Sequence, residues 1–409
     1  MRRSILAAGA APLALAAAML LAAVLLASCG PSRRVRNIVR TDLFSLSYGV
    51  AENQAALASG GAERFDVVMR EGIFHILNGT GRKVMKLSSY GDLLALLYDP
   101  AVSPEPRLDK ADAQRAEGAQ AAQGRYAAPV SFLAPSRIAV DSAQTIYVAD
   151  RMAPSARVFD QQTGSWCDGS VRRFGTQGAE LAPLGQEGPG GTPFPTILSV
   201  DAMENETLSI LSASESFVLV YHFGKAGNLL SVLRLARESL PVPESLGGTS
   251  AAKPGKRIHA NIDGIQATSQ GADFEVALKL DYYREGLSAG GEVSTGIEYV
   301  GSWIYRLDGQ SGAEKGRIAL APGGGDADIP QLIGISGGIY YFLYGGQDRG
   351  AESLMLQLTD ETGKAQARYR MELPDGTREV MALKVSAKGQ VYALLGAGDA
   401  IKAVWWDYH

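Results

Sequence analysis

A closed all-β ring, a six-bladed β-propeller whose N-terminal strand completes the last blade, is the fold class the sequence predicts. Three observations carry that expectation. From residue 41 onward, short runs of β-branched and aromatic residues alternate with polar ones, and no amphipathic helical stripe interrupts them. Gly, Asn, Asp and Ser cluster between the runs, and the 48 glycines follow no collagen period, which suits many tight turns. The runs fall into units of four, and the shortfall at the end of the chain matches a spare run near its start.

The clearest unit opens with Ile138 and Val140 alternating with Ala139, then turns at Asp141-Ser142. Ile146-Tyr147-Val148 makes a second run ended by Asp150, and Arg157-Val158-Phe159 a third ended by Gln161-Gln162-Thr163-Gly164. Residues 170–174 are expected as its fourth strand. One such meander cannot bury both of its faces alone, so it should recur. A unit before it takes 65–68, 73–77, 84–87 and 93–98. The next takes 197–200, 208–211, 217–223 and 229–235; another takes 262–268, 274–283, 297–307 and 316–320. A further one takes 332–335, 339–344, 354–358 and 367–373. The last has only 380–385, 391–395 and 402–406. The strand missing there is the strand spare at 43–48. Pairing the two closes the ring and removes exposed edges that would template aggregation. In the short last unit, one ring of Trp405-Trp406 should lie in the core.

The 409 residues are long for one average domain but ordinary for a closed all-β fold, and a net charge of −4 points to neither nucleic-acid binding nor disorder. Ahead of the repeats, Arg2 and Arg3 precede an uncharged run over 5–27, which ends in Leu26-Ala27-Ser28-Cys29. Small residues before a cysteine, after an apolar run, suit the pocket of a lipoprotein signal peptidase. The stretch resembles the bacterial lipobox. It implies a signal peptide over 1–28, acylation of Cys29 and a lipid-held basic tether over 29–40, followed by the propeller over 41–409. An uncleaved transmembrane anchor is the alternative, although Arg33, Arg34 and Arg36 give the run positive charge on both sides. Gly30 after the cysteine does not match an inner-membrane retention signal, which favours the outer membrane. With Cys29 acylated, Cys167 has no disulfide partner and reads as a loop thiol beside Trp166.

Residues 138–159, with I-A-V-D, I-Y-V-A-D and R-V-F-D in turn, resemble an NHL repeat of six-bladed propellers. The run K-V-M-K-L-S-S-Y-G-D-L-L over 83–94 is similar to a signature of NHL-type lipoproteins of spirochaetes. That resemblance implies a fold and a location in the cell envelope, with no activity attached.

Candidate chemistry is sparse. Asn78 and Asp150 end the second strands of neighbouring units, near one mouth of a propeller channel, where oxygen ligands of a hard cation sit in lactonase-like hydrolases. The competing reading is that each accepts hydrogen bonds from its own turn. The third and fifth units carry no acid or amide at the equivalent place. His75, His222, His259 and His409 share no metal-ligand spacing, and the glycine runs 188–191 and 323–325 lack the lysine and helix of a phosphate loop. No catalytic residue, metal or cofactor is therefore expected. The leading function class is a monomeric, membrane-anchored scaffold that binds a protein or envelope polymer. A metal-dependent hydrolase and a small-ligand sensor stay open beside it. Four inserts, 99–130, 175–195, 236–257 and 284–295, should crowd one face and carry the binding surface.

Overall fold

The structure is a computed structural model that describes residues 35–58, 65–108, 125–182, 184, 193–247, 257–270, 273–287, 294–320, 329–345 and 353–408. The signal segment, Cys29, His409, both glycine runs and the polar stretch 109–123 lie outside the described residues.

Strand β1 (Val35–Ser47) comes first in the chain and joins its sheet last. Group one follows as β2 (Phe65–Arg70), β3 (Ile73–Asn78), β4 (Lys83–Leu87) and β5 (Leu93–Tyr98), with β6 (Tyr126–Pro129) parallel beside β5. Group two holds β7 (Arg137–Val140) and β8 (Ile146–Arg151), then an outlying hairpin of β9 (Val158–Asp160) and β10 (Ser165–Cys167). It is completed by β11 (Gly169–Phe174) and β12 (Glu180–Leu181). Group three is β13 (Thr196–Ala202), β14 (Leu208–Ala213), β15 (Phe217–Phe223) and β16 (Leu229–Ala236). Group four is β17 (Ile258–Gln270), β18 (Asp273–Leu287), β19 (Ser294–Asp308) and β20 (Glu314–Leu320). Group five is β21 (Gln331–Ser336), β22 (Ile339–Tyr344), β23 (Ser353–Thr359) and β24 (Ala365–Glu372). Group six has β25 (Thr377–Val385), β26 (Val391–Ala397) and β27 (Ala400–Asp407). Apart from β6 and the outlying β9–β10 hairpin, neighbouring strands within each group pair antiparallel. Apart from Leu108, helical structure among the described residues is limited to short 3-10 turns such as Pro154–Ala156.

Burial explains why the strands read as they do. The second strands, I-F-H-I-L-N in β3 and V-Y-A-L-L-G-A in β26, are buried along nearly their whole length, so both side-chain faces are apolar. An outermost strand such as β24 (A-Q-A-R-Y-R-M-E) alternates, because one face is wet.

Six apolar clusters each unite two neighbouring groups. Ile76 and Leu394 meet between groups one and six; Leu77 and Ile138 between one and two. Ala149 and Ile210 join two to three, and Val220 and Val276 three to four. Phe342 with Ile304 joins five to four, and Leu356 with Ala393 five to six. The sequence of shared clusters returns to its start, so the sheets close a ring. This is a β-propeller.

β1 performs the closure. Val39 to Ser47 pair antiparallel with Asp407 to Ala400, with a bulge between Asp42 and Phe44, and supply the outer strand of group six. Val35 to Ile38 continue alongside Arg368 to Met371 of β24 in parallel, which fuses groups five and six into one eight-stranded sheet. Leu46 and Ile38 are buried in the two clusters flanking group six. Trp406 is fully buried and its indole N–H donates to the Glu372 carbonyl at 3.2 Å, while Trp405 packs half-buried on the opposite side of the sheet.

Several boundaries differ from the sequence reading. The expected tether over 29–40 gives up residues 35–40 to β1, because their backbone pairs with β24 and β27 and Ile38 is buried there. Residues 157–159 are not the third strand of group two. They pair only with β10, and β11 takes the place beside β8. Val171 and Phe174 of β11 are fully buried there, whereas Val158 and Phe159 are exposed, so burial selects the later segment. The fourth strand is then β12, inside the expected insert 175–195, and β6 lies inside the expected insert 99–130.

Candidate functional site: the channel and the long-loop face

The first strands of all six groups line a central channel of about 1280 Å³. On its wall, Lys384 of β25 reaches Asp66 of the neighbouring β2 at 2.6 Å. Asp66 also accepts the backbone N–H of Val67 and of Ile138, each at 2.9 Å, so one carboxylate ties groups six, one and two together. Asp201 of β13 accepts the Ser199 hydroxyl at 2.7 Å, and Arg137 donates to the Leu198 and Ser136 carbonyls at 2.6 and 2.8 Å. Burial raises the Asp201 pKa against the opposing pull of Lys384. Burial works most strongly against the charge of Lys384, but Asp66, Tyr392 and Asp201 together outweigh it and the lysine pKa rises. Elsewhere on the channel lining, Arg306 pairs with Glu275 at 2.9 Å and Glu361 at 3.1 Å, joining groups four and five. Lys384 and Arg306 are paired with carboxylates, whereas Asp201 and Arg137 bond to neutral hydroxyl and carbonyl groups. None forms a nucleophile–base couple.

Asn78 and Asp150 do end their strands, and both are buried. Asn78 accepts the Ala56 and Gly81 N–H groups at 3.0 and 3.2 Å and donates to the Ala56 carbonyl at 2.9 Å, clamping the segment after β1 to group one. Asp150 lines the channel mouth and accepts N–H groups of Leu133, Ala134 and Arg151, the Ala134 bond being 2.7 Å. Arg172 stands 3.4 Å from it. The oxygens of both residues are thus occupied by protein donors, from a neighbouring segment as well as from their own turns. Among the described residues, no three His, Cys, Asp or Glu side chains gather as metal ligands.

His222 stacks on Phe274 at 3.8 Å, and His259 pairs with Glu285 at 2.9 Å. His75 is fully buried with both ring nitrogens unbonded. Burial, reinforced by Lys86, lowers its pKa to about 3. Lys83 is equally buried and donates to the Ala51 carbonyl at 2.6 Å; burial brings its pKa down to about 8. Lys279, unexposed within group four, pairs with Asp281 at 2.6 Å and Asp263 at 2.9 Å. Sequence reasoning passed over Asp66, Lys384 and Lys279. A charged residue inside an apolar run, as in F-D-V-V-M, A-L-K-V or A-L-K-L-D, was the available signal.

Strand direction sorts the connections between two faces. The first-to-second and third-to-fourth turns lie on one face and are short: 71–72, 88–92, 141–145, 175–179, 203–207, 224–228, 309–313, 337–338, 360–364 and 386–390. The links between groups and the second-to-third turns start and end on the other. The strand ends joined by 99–125, 152–168, 182–195, 237–257, 288–293, 321–330 and 345–352 lie there, together with the exposed Val50, Leu57, Val102 and Leu133.

The β9–β10 hairpin rises from this long-loop face. Phe159 and Trp166 meet edge-to-face at 5.4 Å and stay 48% and 62% exposed. Beneath them Cys167 is buried, and burial, with Asp160 and Asp168 adding to it, pushes its thiol pKa up to about 11. It is an unreactive strand residue rather than the loop thiol expected. Asp160 accepts the Gln162 N–H at 2.9 Å and the Thr163 hydroxyl at 2.8 Å, fixing the turn, and Arg234 of β16 donates to Gln162. An inserted hairpin of group two is therefore held on group three.

No family model matches this chain, and no curated protein matches it. Solved structures do. One described as "Streptogramin B lyase structure" is 10% identical with a TM-score of 0.38, covering 91% of this chain and 98% of that one. Hydrazine synthase of Kuenenia stuttgartiensis is 12% identical with a TM-score of 0.39, covering 83% and 96%. A nidogen/laminin complex is 12% identical with a TM-score of 0.33, covering 75% and 78%.

Proposed function

We propose that this chain is a six-bladed, NHL-type propeller lipoprotein. Acyl chains on Cys29 hold it in the bacterial cell envelope, at the outer membrane, and it acts as a monomer. In this reading each strand group is a blade, and the long-loop face binds a protein or envelope polymer. One observation carries the reading: long connections start and end on the face that bears an exposed aromatic hairpin, while the connections described on the opposite face are tight turns. Connections carried by a rigid scaffold are where binding residues concentrate, and exposed Trp and Phe are characteristic anchors of interfaces.

Photo-crosslinking in cells tests it. A crosslinker at Trp166 should capture a defined envelope component, and one at Tyr90 on the short-turn face should not. Equal capture at both positions, or capture at Tyr90 alone, overturns the choice of face. Cys29→Ala should leave an unprocessed, unacylated precursor, because one signal peptidase route depends on that thiol. A variant that matures normally refutes the anchor.

A small polar ligand in the channel is the second reading, favoured by Arg137 and Lys384 on its wall. A rise in melting temperature with a candidate ligand, lost in Lys384→Met, separates it from surface binding.

A further inference from the structure

We propose that the outer rim where β1 meets β24 lies on an anionic lipid surface, so that the aromatic hairpin is presented on the far side of the ring from the membrane. The inference rests on acylation of Cys29 and adds an orientation to it. From residue 29 to residue 35 the backbone spans at most about 20 Å, at 3.3–3.6 Å per residue. Val35 is already strand, paired opposite Arg368. An acylated chain thus cannot hold its propeller far from the headgroups, and the part nearest them is this rim.

The rim has the chemistry for that neighbour. Val35 and Val39 are 45% and 69% exposed. Arg36 and Arg370 are exposed and make no ion pair among the described residues, and Asn37 stands opposite Arg370 in the register. Arg368 donates from Nε to Oε1 of Gln357 on the adjoining strand at 2.7 Å, a neutral partner that leaves its charge uncompensated. Of the acids close by, Asp42 is held by Arg40 at 2.6 Å, while Asp407, whose partners Thr41 and Gln390 are neutral, and Glu372 stand against three arginines. Apolar side chains interleaved with unpaired guanidinium groups fit an interface of acyl chains and anionic headgroups.

Position supplies the second half. β1 joins groups five and six, whereas the hairpin leaves group two and is held on group three. Around the ring of shared clusters, those junctions are diametrically opposed. A rim laid on lipid therefore turns Phe159 and Trp166 toward the space beyond the membrane.

The test uses the full chain, expressed with its leader, acylated, and reconstituted into vesicles, in a Cys167→Ser background. A fluorophore is placed at Val39→Cys or at Phe159→Cys, and quenching by a nitroxide-headgroup lipid is read. In phosphatidylglycerol-containing vesicles, the label at 39 should be quenched and the label at 159 should not. Arg368→Glu with Arg370→Glu should reduce quenching at 39 to its level in phosphatidylcholine vesicles while the protein still floats with them. Should that double variant fold poorly, raising the salt concentration on the Val39→Cys chain must produce the same loss. Quenching at 159 equal to or above that at 39, or no response to charge reversal and salt, overturns the orientation. A chain that fails to float at all overturns the anchor, and the orientation with it.

Discussion

The two faces of the ring are made by the same strands and yet differ. On the short-turn face each connection closes a hairpin between adjacent strands, as in 71–72 and 337–338. On the long-loop face the links between groups must run from the outer rim back to the channel, about 15 Å if strands are spaced at about 4.8 Å. Length in those links is thus demanded by topology and says little. The second-to-third turns are the informative ones. They also close hairpins between adjacent strands, and 79–82, 214–216 and 398–399 do so briefly. Yet 152–168, 288–293 and 345–352 are longer than closure requires. Extra chain where the fold asks for none is the part of the asymmetry that points to binding.

The largest effect tests whether there is a ring with two faces at all. Deleting residues 35–47 removes a strand paired on both sides and strips Ile38 and Leu46 from two clusters. Each buried aliphatic side chain contributes about 1.5–3 kcal/mol, against a total stability of about 5–15 kcal/mol. Cooperative thermal unfolding should disappear and aggregation follow. A variant that melts within a couple of degrees of the parent would mean that the ring is closed by something else.

Acid should act next, on the body between the faces. His75 is held neutral in the fold, with its pKa lowered from 6.5 to about 3. The unfolded chain therefore binds a proton that the folded one refuses. Its contribution is fully present above pH 6.5 and is lost progressively as pH falls toward about 3, at about 1.4 kcal/mol per unit. The melting temperature should drop across that window, and His75→Phe should flatten the dependence. An unchanged slope in the variant assigns the acid sensitivity to other groups.

Glycines sharpen the contrast of the turns. In the short turn 309–313, a Cβ on Gly309 would overlap the Phe274 ring, itself stacked on His222. Gly309→Ala should cost about 1–3 kcal/mol, as overpacking does. Gly164, in the hairpin, has a φ of 64° and nothing near its missing Cβ, so Gly164→Ala should cost only the left-handed strain of about 1 kcal/mol. Denaturant midpoints of the two variants check the order, and a reversed order removes the claim that the short-turn face is the tightly packed one.

The smallest stability effect should belong to the face with most to say. Trp166→Ala and Phe159→Ala replace exposed rings and should shift stability by no more than about 0.5 kcal/mol, while crosslinked capture is lost. A large drop in stability would identify the pair as packing.

Much of this is legible in the residues. Second strands such as I-Y-V-A-D stand out because a strand buried on both faces leaves a continuous apolar run. The spare run at 43–48 stands out because a ring needs its missing edge. Two things stay hidden. V-F-D at 158–160 has the composition of a strand, and only tertiary burial shows that β11 displaces it from the sheet. The Asp66–Lys384 pair joins strands far apart in the chain, and spacing along a sequence carries no trace of such a contact.

The way β1 is used also sets an order of events in time. The Thr41 hydroxyl bonds Asp407, 366 residues further along, and the whole β1–β27 ladder has a comparable reach. Contacts of such separation form slowly, because a large loop must close before any of them is rewarded. As the chain emerges from its start, β1 waits as an unpaired edge until nearly all the other strands have been made. For that interval Leu43, Phe44 and Leu46 are open to wrong partners. A chaperone that shields an early, apolar edge would protect this protein most before its last strand arrives.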